Sequence, residues 1–283
     1  MMMPYHDEQL QFIIDLAVYR TSFLDPIFRF LNYVDSLYFV FLLLPIVWVG
    51  FSYRWGIRLF YLLVVNEMMN SFFKNLVGWA RPCMDFSEVG MYHPISHGFP
   101  SGGAQAAMVL GGLVIYYWKN KYAWPIGVFY ILLLSFTRLY LGVHYPIDIL
   151  GGWVLGLLLL YVFIQTIHPF EKFLATKGLL YSFIFSEAIP LLLFLLTAKR
   201  TFHRLDAIVI GLGIFLSLKY GLYLPYPKKI PVAFLRGAIA AVGVFALFIL
   251  LENFPFFVSI GIVSLWLSLG ASPFCKWALK RHV

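Results

Sequence analysis

Apolar runs follow one another through almost the whole chain, each close to the length of a bilayer-crossing helix and each ended by a short polar or basic loop. They fall at about residues 37–53, 59–78, 102–118, 122–140, 147–167, 179–197, 205–224, 231–251 and 254–271. A transmembrane helix needs about 20 mostly apolar residues, because the backbone has no water to bond inside lipid. Hydrophobic residues make up 61% of the 283 residues and charged residues 12%, against about 25% charged in an average soluble domain. A water-soluble globule, a disordered chain and a disulfide scaffold are therefore excluded. The fold class predicted is an all-α polytopic membrane helix bundle. It has about five spans in a core, about four more after it, and N-terminal helices lying in the membrane interface.

Those first helices, over residues 9–34, read as interfacial because Asp15, Arg20, Asp25 and Arg29 interrupt the apolar face, with a break expected at Pro26. The division predicted is 1–36 interfacial, 37–170 chemical core and 171–283 accessory, since the polar groups capable of chemistry crowd into residues 66–148. The first residues have no basic stretch or small-residue cleavage site, so no removable signal peptide is expected. Cys83 and Cys275 are isolated, without metal-ligand spacing.

The net charge of +8 is read as a membrane orientation signal and not as a nucleic-acid footprint, because no basic stripe lies outside the short loops. Counting along the expected spans, Arg54, Arg58, Lys119, Lys121, Lys172, Lys177, Lys219, Lys228, Lys229, Arg236, Lys276, Lys280 and Arg281 fall on one face. The smaller share, including Lys199, Arg200 and Arg204, falls on the other. Positive residues favour the cytoplasm. The second face, which carries the chemical residues, is expected to be extracytoplasmic.

Three segments meet on that face if the spans alternate: Lys74 to Arg81-Pro82, Pro100-Ser101-Gly102-Gly103, and Arg138 to His144 and Asp148. Fixed cations suit a ligand with several anionic oxygens, and a guanidinium fork matches phosphate. The Pro-Ser-Gly-Gly turn opens a helix whose first amides favour an anion. An Asp one turn beyond a His leaves the other ring nitrogen basic, as a nucleophile requires. Asn66, Glu67 and Asn70, inside the second run, read equally as functional groups or as polar side chains satisfying one another or Lys74. Glycines at 111, 112, 151 and 152 read as close helix packing.

These segments resemble the three signatures of the type 2 phosphatidic acid phosphatase (PAP2) superfamily, K-x6-R-P, P-S-G-H and S-R-x5-H-x3-D, over roughly residues 10–168. The resemblance implies phosphate binding by Lys74, Arg81 and Arg138, with help from Ser101 and the Gly102 amide. It makes His144 the nucleophile and Asp148 its orienting partner. Lipid phosphates or pyrophosphates would be the substrates in a bacterial-type inner membrane, with no metal or cofactor needed.

Two positions depart from the pattern. Thr137 replaces Ser and keeps the hydroxyl, whereas Gly103 replaces the His that serves the family as general acid. Hence the substrate would be a pyrophosphate with a good leaving group, or another acid would be recruited, or catalysis would be weak. His97 and His93 are the candidate acids; Gln105 can donate a hydrogen bond but not a proton. A phosphotransferase uses the same residues, and a lipid-binding or transport relative is the reading from another class.

Overall fold

The computed structural model describes residues 5–34, 37–196 and 202–279. Lys199, Arg200, Lys280 and Arg281, which entered the orientation reading, lie outside the described residues, as does the expected boundary at residue 36. The fold is all-α: α1 His6–Ala17, α2 Leu24–Val34, α3 Leu37–Pro45, α4 Tyr53–Val77, α5 Pro82–Asp85, α6 Gly102–Tyr117, α7 Ala123–Tyr140, α8 Pro146–Lys177, α9 Leu179–Leu196, α10 Phe202–Tyr220, α11 Ile230–Leu250, α12 Phe256–Leu265 and α13 Ala271–Ala278. Wider π-helical turns over Ile46–Phe51 and Trp266–Gly270 continue α3 and join α12 to α13.

The chain is an integral membrane protein, but the spans differ in strength from the reading above. Among the described residues, four helical stretches are long and apolar enough to cross a bilayer: Ala123–Tyr140, Pro146–Lys177, Ile230–Leu250 and Val258–Ala278. The α6 helix is apolar but short, at 16 residues. The α4 helix holds Arg54, Arg58, Glu67 and Lys74 within its 25 residues. At the N-terminus, the break falls before Leu24 instead of at Pro26. Thr21 Oγ1 accepts from the Leu24 amide, and Pro26 sits in the first turn of α2, where a missing N–H costs nothing.

The residues form two compact units, one of Met1–Leu37 with Val65–Ile167 and one of Tyr38–Val64 with His168–Val283. This differs from a linear division near residue 170, because the first apolar run groups with the C-terminal part. Within that second unit Gly50 and Gly237 let the Ile46–Phe51 turn lie on α11; a Cβ at Gly50 would stand 2.6 Å from the Ala233 carbonyl oxygen. Arg58 holds Glu171 there through a bidentate ion pair, and Cys275 is buried as a free thiol.

The first unit carries the chemical residues, and glycines set its helix spacing. A Cβ at Gly127 in α7 would lie 2.7 Å from the Gly111 carbonyl oxygen in α6. Gly152 and Gly156 of α8 similarly face the Ser101 and Gln105 carbonyl oxygens at 2.6 and 2.7 Å. Backbones this close leave no room for side chains, the packing rule of membrane helices. Above them, α1 and α2 cover the loops: Ile13 packs with Val89 and Tyr145, while Leu24 and Phe28 pack on Tyr140, Leu141 and Val143. Gly127→Leu should lower stability by about 1–3 kcal/mol, read as a fall in Tm in detergent. Gly261→Ala, where an added Cβ meets open space, should leave Tm unchanged or raise it.

Candidate active site

Lys74 ends α4 and reaches three backbone carbonyls of the following loop, at His97 (2.7 Å), Gly98 (3.2 Å) and Pro100 (2.9 Å). It thereby fixes the approach to Ser101. Ser101 is the N-cap of α6, with extended backbone and its Oγ accepting from the Ala104 amide. Its own amide donates to the Asp148 carbonyl at 2.9 Å, which joins the second segment to the third. The Gly98 amide donates to the Trp79 carbonyl at 2.8 Å and joins the second to the first.

The arginine and histidine meet directly. Arg81 Nη1 donates to His144 Nε2 at 3.0 Å and to the Val143 carbonyl at 2.9 Å; its Nε and Nη2 hold Ser96. Since guanidinium has no acceptor, Nε2 must present its lone pair, so the ring proton is on Nδ1. That nitrogen lies 3.2 Å from Asp148 Oδ2, which also accepts from the Tyr145 amide at 2.9 Å. Arg81 and His144 are each 4% exposed, and Ser101 and Asp148 are fully buried. Burial first, and then the cations Arg81, Lys74 and Arg138, push the His144 pKa well below its usual 6.5. The imidazole is neutral at pH 7, with its lone pair aimed into the cationic pocket.

Positioning depends on a tight turn and on the N-terminal helices. Gly142 has φ +68°, and a Cβ there would strike the Val89 carbonyl, so only glycine suits the turn leading to His144. Arg20 braces that turn, donating from Nε and Nη2 to the Tyr140 carbonyl and from Nη2 to that of Val89. Arg138 Nη1 donates to Asn32 Oδ1 (2.7 Å) and to the Tyr92 hydroxyl oxygen (3.0 Å). Behind α6, the buried Asn70 donates to the Pro100 carbonyl and to Gln105 Oε1, while Gln105 Nε2 donates to the Asn66 carbonyl. Asn70, Gln105 and the Asn66 backbone carbonyl thus form a buried network under the helix start, and a Cβ on Gly102 would come within 3.1 Å of Asn70 Oδ1.

The structure therefore brings Lys74, Arg81, Ser101, Gly102, Arg138, His144 and Asp148 into one neighbourhood of the first unit. The candidate acids differ in setting. His93 is exposed and its Nε2 lies against Ser87, at 3.2 Å from Oγ and 3.1 Å from the carbonyl oxygen. His97 is exposed, and its backbone carbonyl serves Lys74. Gly103 is buried in the first turn of α6. Asn32, Tyr92 and Arg20 were missed by the sequence reading. They act through long-range contacts, and no spacing rule reaches them. No group of three His, Cys, Asp or Glu side chains suited to a metal ion occurs among the described residues.

The fold and this site define a membrane-embedded helical protein with a buried cluster of Arg81, His144 and Asp148 beside Lys74 and Arg138. Residues 55–172 match the family model of the PAP2 superfamily. An undecaprenyl-diphosphatase of Sulfolobus acidocaldarius is 28% identical over 121 residues, covering 41% of this chain and 58% of the relative. A dihydrosphingosine 1-phosphate phosphatase of Saccharomyces cerevisiae is 26% identical over 186 residues, covering 60% of this chain and 45% of the relative. The chain thus spans about half the length of these two proteins. Its fold also resembles the crystal structure of a transmembrane PAP2-type phosphatidylglycerolphosphate phosphatase from Bacillus subtilis, with TM-score 0.52 and 22% identity over 58% of this chain and 86% of that one.

Because the folded-state pKa of His144 is depressed, the unfolded chain binds the extra proton first as pH falls. The contribution of His144 to stability is complete above about pH 6.5 and is lost below it. Ring-labelled NMR should show His144 titrating below the ordinary histidine range. Arg81→Gln, which removes one neighbouring cation, should move the titration upward toward the ordinary value.

Proposed function

We propose that this protein is an integral membrane phosphatase of lipid phosphates or lipid pyrophosphates, acting through a phosphohistidine intermediate. The observation that carries the reading is the contact of Arg81 Nη1 with a neutral His144 Nε2 whose other nitrogen faces Asp148. An incoming phosphate takes over the guanidinium donors, and Nε2 then faces phosphorus. A P–N bond forms as the bond to the lipid oxygen breaks. Asp148 stabilises the charge that develops on the imidazole, while Lys74, Arg81, Arg138 and the Gly102 amide hold the equatorial oxygens. Water then hydrolyses the phosphohistidine. The catalytic residues come from the Val65–Ile167 stretch of the core expected within residues 37–170, and residues 171–283 are accessory to it.

The relatives support this substrate class: one is named for a lipid diphosphate and the other for a sphingoid-base phosphate. The distribution of basic residues supports a pocket on the extracytoplasmic side of a bacterial inner membrane. In this scheme the fixed cations supply the charge that a metal ion supplies elsewhere.

His144→Ala should reduce turnover of lipid monophosphates and pyrophosphates by several orders of magnitude. Acid-labile radiolabelled phosphate on the protein after quenching should disappear with it. Turnover in His144→Ala equal to that of the unaltered protein would overturn the nucleophile.

A further inference from the structure

A phosphohistidine mechanism on a lipid monophosphate needs a proton for the departing alkoxide, and Gly103 has no side chain to give one. His97 is exposed and touches this neighbourhood through its backbone carbonyl, and the other groups nearby are committed. Ser101 Oγ caps α6, Gln105 is fully buried against Asn66 and Asn70, and His93 faces Ser87. Lys74 Nζ is surrounded by three carbonyls.

Tyr92 stands differently. Its Oη is 3.0 Å from Arg138 Nη1, so a phosphate gripped by Arg138 lies beside that hydroxyl. It is also within electrostatic reach of Arg81. The hydroxyl donates to Asn32 Oδ1 at 3.1 Å, and the same oxygen of Asn32 accepts from Arg138 at 2.7 Å. A hydroxyl hydrogen swings about its C–O bond, so the proton held on Asn32 can turn to a new acceptor without moving the ring. Asn32 lies on α2, outside the stretch of 55–172 that matches the family.

We infer that Tyr92 is the proton donor to the leaving oxygen, in the place of the side chain absent at Gly103, with Asn32 orienting its hydroxyl. This rests on the proposal that His144 attacks phosphorus. As the P–N bond forms and the P–O bond breaks, the Oη proton passes to the lipid oxygen and leaves a phenolate beside Arg138. In the second half the phenolate takes a proton from the water that cleaves the P–N bond. Tyr92 returns to its starting state, and the sum is ester plus water giving alcohol plus phosphate.

A general acid contributes about 10²–10⁴-fold, and most where the leaving group is basic. The test uses the full-length protein with a lipid alkyl monophosphate and the matching lipid pyrophosphate, whose leaving phosphate needs the proton less. Tyr92→Phe should lower kcat on the monophosphate by about 10²–10⁴-fold, with a loss at least about tenfold smaller on the pyrophosphate. Adding Gly103→His to Tyr92→Phe should restore much of the monophosphate rate, a rescue that a role in packing or in aiming Arg138 does not predict. Equal losses on the two substrates, or no loss, or no rescue in a double variant that retains vanadate binding, would overturn the donor role. His144→Ala run in parallel separates the two claims. If it keeps activity, the nucleophile reading falls and this inference with it; if it loses activity, the Tyr92 results stand by themselves.

Discussion

A buried guanidinium beside a buried imidazole is tolerable only when the imidazole is neutral and the cation has other acceptors, and the first unit supplies both conditions. Arg81 gives its remaining donors to the Val143 carbonyl and to Ser96, while His144 turns its protonated nitrogen toward Asp148. Leaving any of these charged donors unmet would cost more than an ordinary hydrogen bond, whose net worth is about 0.5–1.5 kcal/mol. The tautomer of His144, the register of the loop before it and the direction of Asp148 all follow from how Arg81 is satisfied. Nearly every other contact in the neighbourhood keeps that arrangement in place.

Helix packing brings the groups together. The glycines of α6, α7 and α8 let backbones touch, so the start of α6 and the start of α8 meet closely enough for the Ser101 amide to bond the Asp148 carbonyl. Polar side chains then fill the seam: Asn70 and Gln105 satisfy each other beneath Gly102 instead of facing the pocket. In a medium without water, an unmet amide there would be expensive.

The parts legible in the sequence were those whose chemistry imposes spacing. Six residues between Lys74 and Arg81, five between Arg138 and His144, and one helical turn from His144 to Asp148 form a pattern that can be read along the chain. Helical apolar runs were legible for the same reason, although charge in α4 and the shortness of α6 weaken them as independent spans. Arg20, Asn32 and Tyr92 were not legible, because each works across a distance in sequence that leaves no period. Tyr92 was further hidden in a chain that is 19% aromatic, where a loop tyrosine reads as part of an interfacial belt. The grouping of Tyr38–Val64 with the C-terminal unit was likewise invisible: it depends on the glycine contact between Gly50 and α11, not on adjacency along the chain.

The brace that Arg20 applies to the end of α7 has a thermodynamic consequence. Its two nitrogens occupy carbonyls that would otherwise fray, so the hairpin leading to His144 has already lost its freedom before any ligand arrives. The ordering cost is met once, during assembly of the protein, and is not charged again against each encounter with an anion. The turn before His144 therefore enters any encounter already rigid, so its conformational entropy is lost in folding and not in recognition.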